Sequence, residues 1–171
     1  MKASKKLDLS RLKSSYPFST KLNDFINNWF EEHKGWFKFV DVDDFDENDI
    51  EGTFKRHKKR FVEEGFINIW TGASENTIFG CSEVNAKFRA WHDYVHMIYN
   101  LGYSITDESI VCDIQRDMLP KGMRFEKKLI ECEIRGQAQY FYLNNKFVNN
   151  QREFTICWLS NTFAAINDPK L

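Results

Sequence analysis

The chain has 171 residues, a formal net charge of −1 and a pI of about 6.4, with 42% hydrophobic and 16% aromatic residues. Sixteen Phe and five Trp are enough to build one domain with a substantial core. The balanced charge argues against a nucleic-acid partner, which calls for a basic excess, and no apolar run approaches the length of a bilayer span.

Residues 1–17 read as an N-terminal arm, flexible or docked. Lys2, Lys5, Lys6, Arg11 and Lys13 alternate there with little apolar content, and Pro17 closes the stretch. No apolar core follows Met1-Lys2-Ala3-Ser4-Lys5-Lys6, so no signal peptide is expected. A single globular domain is expected over 18–171. Ser19 or Thr20 caps a first helix running to about Lys34, with Leu22, Phe25, Ile26, Trp29 and Phe30 on one face and Gly35 beyond its end.

Trp36–Val40 reads as a short extended segment. The acidic run that follows (Asp41, Asp43, Asp44, Asp46, Glu47, Asp49) fails the calcium-loop pattern, because Asp46 and Gly52 stand where Gly and Glu are required. A solvated loop leading into a helix over 47–64 is the better reading. The basic cluster Lys55 to Arg60 on that helix fits an exposed face opposite Phe54 and Phe61. Gly65 stops the helix. Phe66–Trp70 and Thr77–Phe79 flank a loop rich in Gly, Ser and Asn, and predict a small β-hairpin near residues 66–79.

From Ser82 the spacing of apolar residues is helical. Helices are expected from Ser82 to about Asn100, from near Thr106 to Pro120, over 124–143 and over 149–166. The fold class is therefore mainly α, with a bundle-like helical core over 82–166. Cys81, Cys112, Cys132 and Cys157 are far apart and form no CxxC pair, which excludes a zinc ribbon. Reduced, mostly buried thiols in a reducing cytoplasm are expected.

His92 and His96 lie four residues apart and share one face of the first of these helices. Two imidazoles at this spacing can grip one metal ion. Glu108 and Gln115 on the second helix, and Glu133 and Gln137 on the third, are polar residues on faces that should turn inward. Bundle interiors hold metals through such side chains. The candidate ligands are His92, His96 and Glu108, with Glu133 as an optional fourth, for zinc, iron or manganese. Asp93 or Glu133 is the candidate base, and Arg89 or Arg135 the candidate anion stabiliser. Gln115, Gln137, Glu131 and Asn85 are expected in supporting positions. A hydrogen-bonded network without metal, with Arg135 paired to Glu133 or Glu131, explains the same pattern. His92-Asp93 also matches the dipeptide of the HD phosphohydrolases, with His57 as a further ligand. That site needs a downstream Asp which Asp107, Asp113 and Asp117 leave open. His92-Asp93-x-x-His96 is also a zincin-like pattern with a shorter acid.

Asn85, Phe88-Arg89, His92-Asp93, His96, Asp107-Glu108 and Glu133-Ile134-Arg135-Gly136-Gln137 together resemble a domain family of bacteriophages and conjugative elements, found alone or inside large polyvalent proteins. Its pattern is Phe-Arg-x-x-His-Asp, a nearby second His, Gly-Glu, then Glu-Thr-Arg-Gly-Gln. The similarity covers roughly residues 78–151. Val95 stands where many members have Gly with one more residue between the histidines, Asp107 replaces the Gly of Gly-Glu, and Gln115 lies near the place of another His. The resemblance implies a phage origin, a place in the host cytoplasm or the virion, and a shared polar site; it implies no activity. Two functions stay open: a metal-dependent hydrolase, and a non-catalytic phage protein (a virion component or an inhibitor of host defence) with a phage or host protein as partner.

Overall fold

A computed structural model describes residues 9–171, apart from the side chain of Arg11; the first eight residues of the expected arm lie outside the described residues. After a short 3-10 turn, Leu9–Arg11, the chain is held against the body by Arg152. This buried guanidinium donates to the carbonyls of Lys13, Tyr16 and Thr77 at 3.1, 2.9 and 3.0 Å.

Helix α1 spans Thr20–His33. The Ser19 hydroxyl accepts from the Leu22 amide, which satisfies one of the N–H groups a helix start leaves unpaired. Leu22, Ile26, Trp29 and Phe30 recur at helical spacing and are buried. They pack on helix α3, Ser82–Tyr99, where Trp91 is fully buried and meets Phe25 and Trp29.

The β structure corrects the sequence expectation. Strand β1, Phe37–Val40, pairs in parallel with β2, Ile67–Trp70, with Phe37 opposite Ile67 and Val40 opposite Trp70. Parallel neighbours need a crossover, and helix α2, Ile50–Glu64, supplies it. Asp49 caps α2 through the Gly52 amide, and Gly65 ends it in the left-handed region at φ 76°. The expected hairpin over 66–79 does not form. Thr77–Phe79 is a buried turn whose carbonyls bind elsewhere, Ile78 to the Phe18 amide and Phe79 to the Asn23 side chain. Alternation of apolar residues marked both real strands but carried no information about which pairs with which.

Asn100 ends α3 with φ 54°, and the chain turns at once into α4, Ile105–Met118. Ser104 caps α4 by accepting from the Asp107 amide, while its own hydroxyl donates to the Asp107 carboxylate at 2.8 Å. The third expected helix is continuous but not uniform. Helix α5, Arg124–Glu131, passes through a π-helical turn, Cys132–Gly136, into α6, Gln137–Asn144. The fourth breaks at Asn161 into α7, Gln151–Ser160, and α8, Thr162–Asn167, the Asn161 side chain capping α8. A main core gathers α1, β2, α3 and α4, and a smaller one gathers Cys132, Tyr140, Phe154, Ala165 and Leu171. No described helix is long and apolar enough to cross a membrane.

All four cysteines are free, Cys112 and Cys132 buried, Cys157 partly buried and Cys81 exposed. The exposure of Cys81 follows from its place just before α3 rather than within a packed face. Under native conditions a thiol reagent should modify Cys81 first, and Cys112 and Cys132 only on unfolding. Fewer than four thiols in denatured, unreduced protein contradicts the structure.

Candidate metal centre

The site is built on the α3–α4 corner. His92 and His96 project from successive turns of α3, and Glu108 comes from the first turn of α4. Helical spacing aligns the two rings, and the tight turn after Asn100 brings the carboxylate over them. His96 Nδ1 lies 3.0 Å from the Leu101 carbonyl. A carbonyl only accepts, so Nδ1 carries the proton and Nε2 is left with its lone pair. His92 Nδ1 lies 2.9 Å from Gln115 Oε1, which fixes the same tautomer. The two Nε2 atoms then face each other at 3.1 Å. Glu108 Oε2 and Oε1 lie 3.4 and 3.5 Å from them.

Three acceptor groups thus converge, and their ligand atoms all lie within 4.8 Å of one another. His96 is fully buried, and the side chains of His92 and Glu108 are 19% and 15% exposed. Such a cluster repels itself unless a cation sits among its members. That cation is either a proton or a metal ion, and the His92-His96-Glu108 group can hold a metal ion.

Without a metal, the electrostatics favour a proton in that place. Burial pushes the His92 pKa down, but the Glu108 carboxylate, then Asp93 and Gln115, outweigh it and hold the imidazole up at about 9. Burial likewise acts to raise Glu108, and the two histidines overcome it and hold the carboxyl well below its ordinary range. Asp93 is shifted up, chiefly by burial, against the pull of His92, His96 and His57.

The cluster opens onto a cleft of about 730 Å³. Of the site residues singled out from sequence, His57, Arg89, His92, Asp93, Glu108, Glu133 and Gln137 line it. His96 and Gln115 stand behind this lining, fully buried. Glu133 is not part of the close ligand group. It comes from the π-helical turn and accepts from the Thr155 hydroxyl at 3.2 Å. Burial raises its pKa to about 8, opposed by hydrogen bonds from Thr155 and Gln137.

The two arginines do other work. Arg89 donates to the carbonyls of Trp70, Gly72 and Ala73 at 2.9, 2.6 and 3.1 Å, and pins the loop after β2 against α3. Asn85 joins it by donating to Ser74. Arg135 points away from the cleft. It binds Ser109, Asp113 and Glu131, tying the π-helical turn to α4. It pairs with Glu131, and Glu133 has no cationic partner among the described residues. His57 is absent from the ligand group. Its ring nitrogens meet the Tyr103 hydroxyl at 2.9 Å and Asp44 at 2.8 Å. Asp107 is taken by the α4 cap and Asp113 by arginines, and neither these nor Asp117 joins the close ligand group, so an HD-type ligand set does not assemble among the described residues.

Sequence reasoning missed Tyr103, whose ring lies 4.9 Å from that of His96, edge to face. It also missed Thr155 and the Leu101 carbonyl. Tyr103 sits in the interhelical break, where a turn and a site residue look alike in sequence. A backbone carbonyl has no sequence signature at all. Comparison of the chain with protein-family models, with curated proteins and with solved structures gives no match.

Glu133 supplies a pH-dependent prediction for chelator-treated protein. Its folded pKa of about 8 lies above its ordinary 4.5. The contribution to stability is therefore full below pH 4.5 and is lost as pH rises through 8. Glu133→Gln removes this loss. At pH 8.5 the variant should be more stable than wild type by roughly 2 to 4 kcal/mol, and at pH 4.5 nearly equal. Urea unfolding at the two pH values measures it, and parallel stabilities at both contradict it.

Proposed function

We propose that the chain is a divalent-metal-dependent hydrolase, with His92, His96 and Glu108 as ligands and the cleft as substrate site. The observation that carries this reading is the convergence of two Nε2 lone pairs and one carboxylate, with both Nδ1 atoms already committed to oxygen acceptors. Two histidines and a glutamate with an open position form a set used by catalytic zinc, and partners on the far ring nitrogen orient such ligands. Zinc is the proposed ion; iron and manganese accept the same ligands. A zinc ion held there would lower the pKa of a bound water and polarise a substrate carbonyl.

The chain's own residues supply the rest. Asp93 follows His92, lines the cleft, and has a pKa raised by burial, which suits a general base. Gln115 and the Leu101 carbonyl hold the imidazoles in the ligating tautomer. Arg89 shapes the wall through the loop it binds. The sequence resemblance supports an origin in phages or conjugative elements, and with it a place in the host cytoplasm or the virion.

A second reading is favoured by the raised pKa of His92: a proton shared with Glu108 satisfies the cluster without any metal. In that case the protein is a non-catalytic interaction protein with a phage or host partner, and the cluster is structural.

Elemental analysis of protein purified without chelator separates the two. Close to one equivalent of zinc, iron or manganese is expected in the wild type, and almost none in a His92→Ala, His96→Ala double variant. Gln115→Ala should weaken metal binding roughly 10- to 100-fold while sparing the ligands. No metal in either protein, with the double variant merely less stable, overturns the hydrolase reading.

A further inference from the structure

The walls of the cleft have a charge pattern that the metal centre does not use. Besides Asp93, Glu108 and Asp44, which pairs with His57 and Arg60, the carboxylates of Asp43, Glu47, Glu75 and Glu133 line it, and among the described residues none of these last four has an ion-pair partner. Apart from His92, its basic side chains are His57 and Arg89. Both are occupied, His57 by Asp44 and Tyr103, and Arg89 by three backbone carbonyls. A phosphate or carboxylate entering the cleft meets no uncommitted cation on its wall.

Glu133 differs from the rim acids in being only 8% exposed. A buried carboxylate without a counter-charge is costly, and a substrate that brings one removes the cost. Around it the hydrogen bonding is incomplete. Gln151 Oε1, an acceptor, is buried without a donor and lines the same cleft. Phe45, Phe141 and Phe147 add an aromatic wall, Phe141 and Phe147 stacked at 4.6 Å and Phe45 set against Phe147 at 5.9 Å. Ring faces attract organic cations and flat apolar groups alike.

We infer that the cleft is selective for a substrate carrying an organic cation, an ammonium or guanidinium group, with Glu133 as the counter-ion. The rim carboxylates attract such a molecule, the aromatic wall takes its apolar part, and Glu133 receives the charge. This names the substrate class of the proposed hydrolase: a cationic amide or ester rather than a phosphoester. The reaction rests on the hydrolase reading, and the binding selectivity does not.

Three matched aryl probes test it on the full chain: benzamidine, benzamide and benzoate. Binding is read by calorimetry or by NMR shifts at pH 9, where Glu133 is ionised, with chelator present so that no metal attracts benzoate. Benzamidine should bind at least tenfold tighter than benzamide, and benzoate should not bind. In Glu133→Gln that preference should fall several-fold, leaving only what the rim carboxylates supply, while benzamide binding changes far less. Benzoate binding as well as benzamidine overturns the inference without needing any variant. Full cation preference in Glu133→Gln overturns the assignment of Glu133. Benzamidine preference in a protein that carries no metal when purified without chelator removes the hydrolase and leaves the selectivity standing. A metal-loaded protein with no such preference does the reverse.

Discussion

Two imidazole Nε2 atoms face each other across 3.1 Å in a site where His96 has no access to water, and a carboxylate closes the third side. Everything around them sets up this arrangement. The helical repeat of α3 stacks the rings, the left-handed Asn100 turns the chain back, and the Ser104 cap starts α4 so that Glu108 falls in its first turn. The Leu101 carbonyl within the same turn fixes the tautomer of His96. The corner that reverses the chain and the corner that builds the site are one piece of backbone. The free energy of that site depends on the cation placed among its acceptors, so a metal bound there would stabilise the fold as well.

A second constraint acts on the opposite wall. An α-helix turns about 100° per residue, so a uniform helix through 132–136 would set its side chains at other angles. The π-helical turn aims Glu133 into the cleft while Arg135 reaches back to α4. Gly136 permits the close approach of Trp158, because a Cβ there would lie 2.9 Å from its indole nitrogen. Such turns recur at functional sites. The turn thus sends the two side chains to different neighbours, Glu133 to Thr155 and Arg135 to α4, and leaves the carboxyl in the cavity without a cationic partner among the described residues.

Much of the helical layout was legible in the sequence. Ser19, the change to helical spacing at Ser82 and the start expected near Thr106 mark boundaries that hold to within a residue or two, because caps and periodicity are local properties. The pairing of Phe37–Val40 with Ile67–Trp70 was not legible, since strand partners are chosen by the tertiary fold and the apolar pattern of a four-residue strand is indifferent to direction. The break at Asn161 and the π-helical turn were hidden for a similar reason: both lie inside runs whose spacing remains close to helical. At the site, His92, His96 and Glu108 were readable as inward-facing polar residues, and the structure brings their ligand atoms together. Arg135 was read as an anion stabiliser on its type alone. Its partners on α4 are twenty-odd residues away in sequence, and only the packed structure shows that they consume its hydrogen bonds.

Anomalous diffraction at the zinc edge, from crystals of zinc-loaded protein, addresses the central claim most directly. The account predicts one strong peak bounded by His92 Nε2, His96 Nε2 and a Glu108 oxygen, with ligand distances of about 2.0 to 2.2 Å and an open side toward the cleft. A peak at other residues, or no peak at this corner while His92 and Glu108 remain in direct contact, would contradict it.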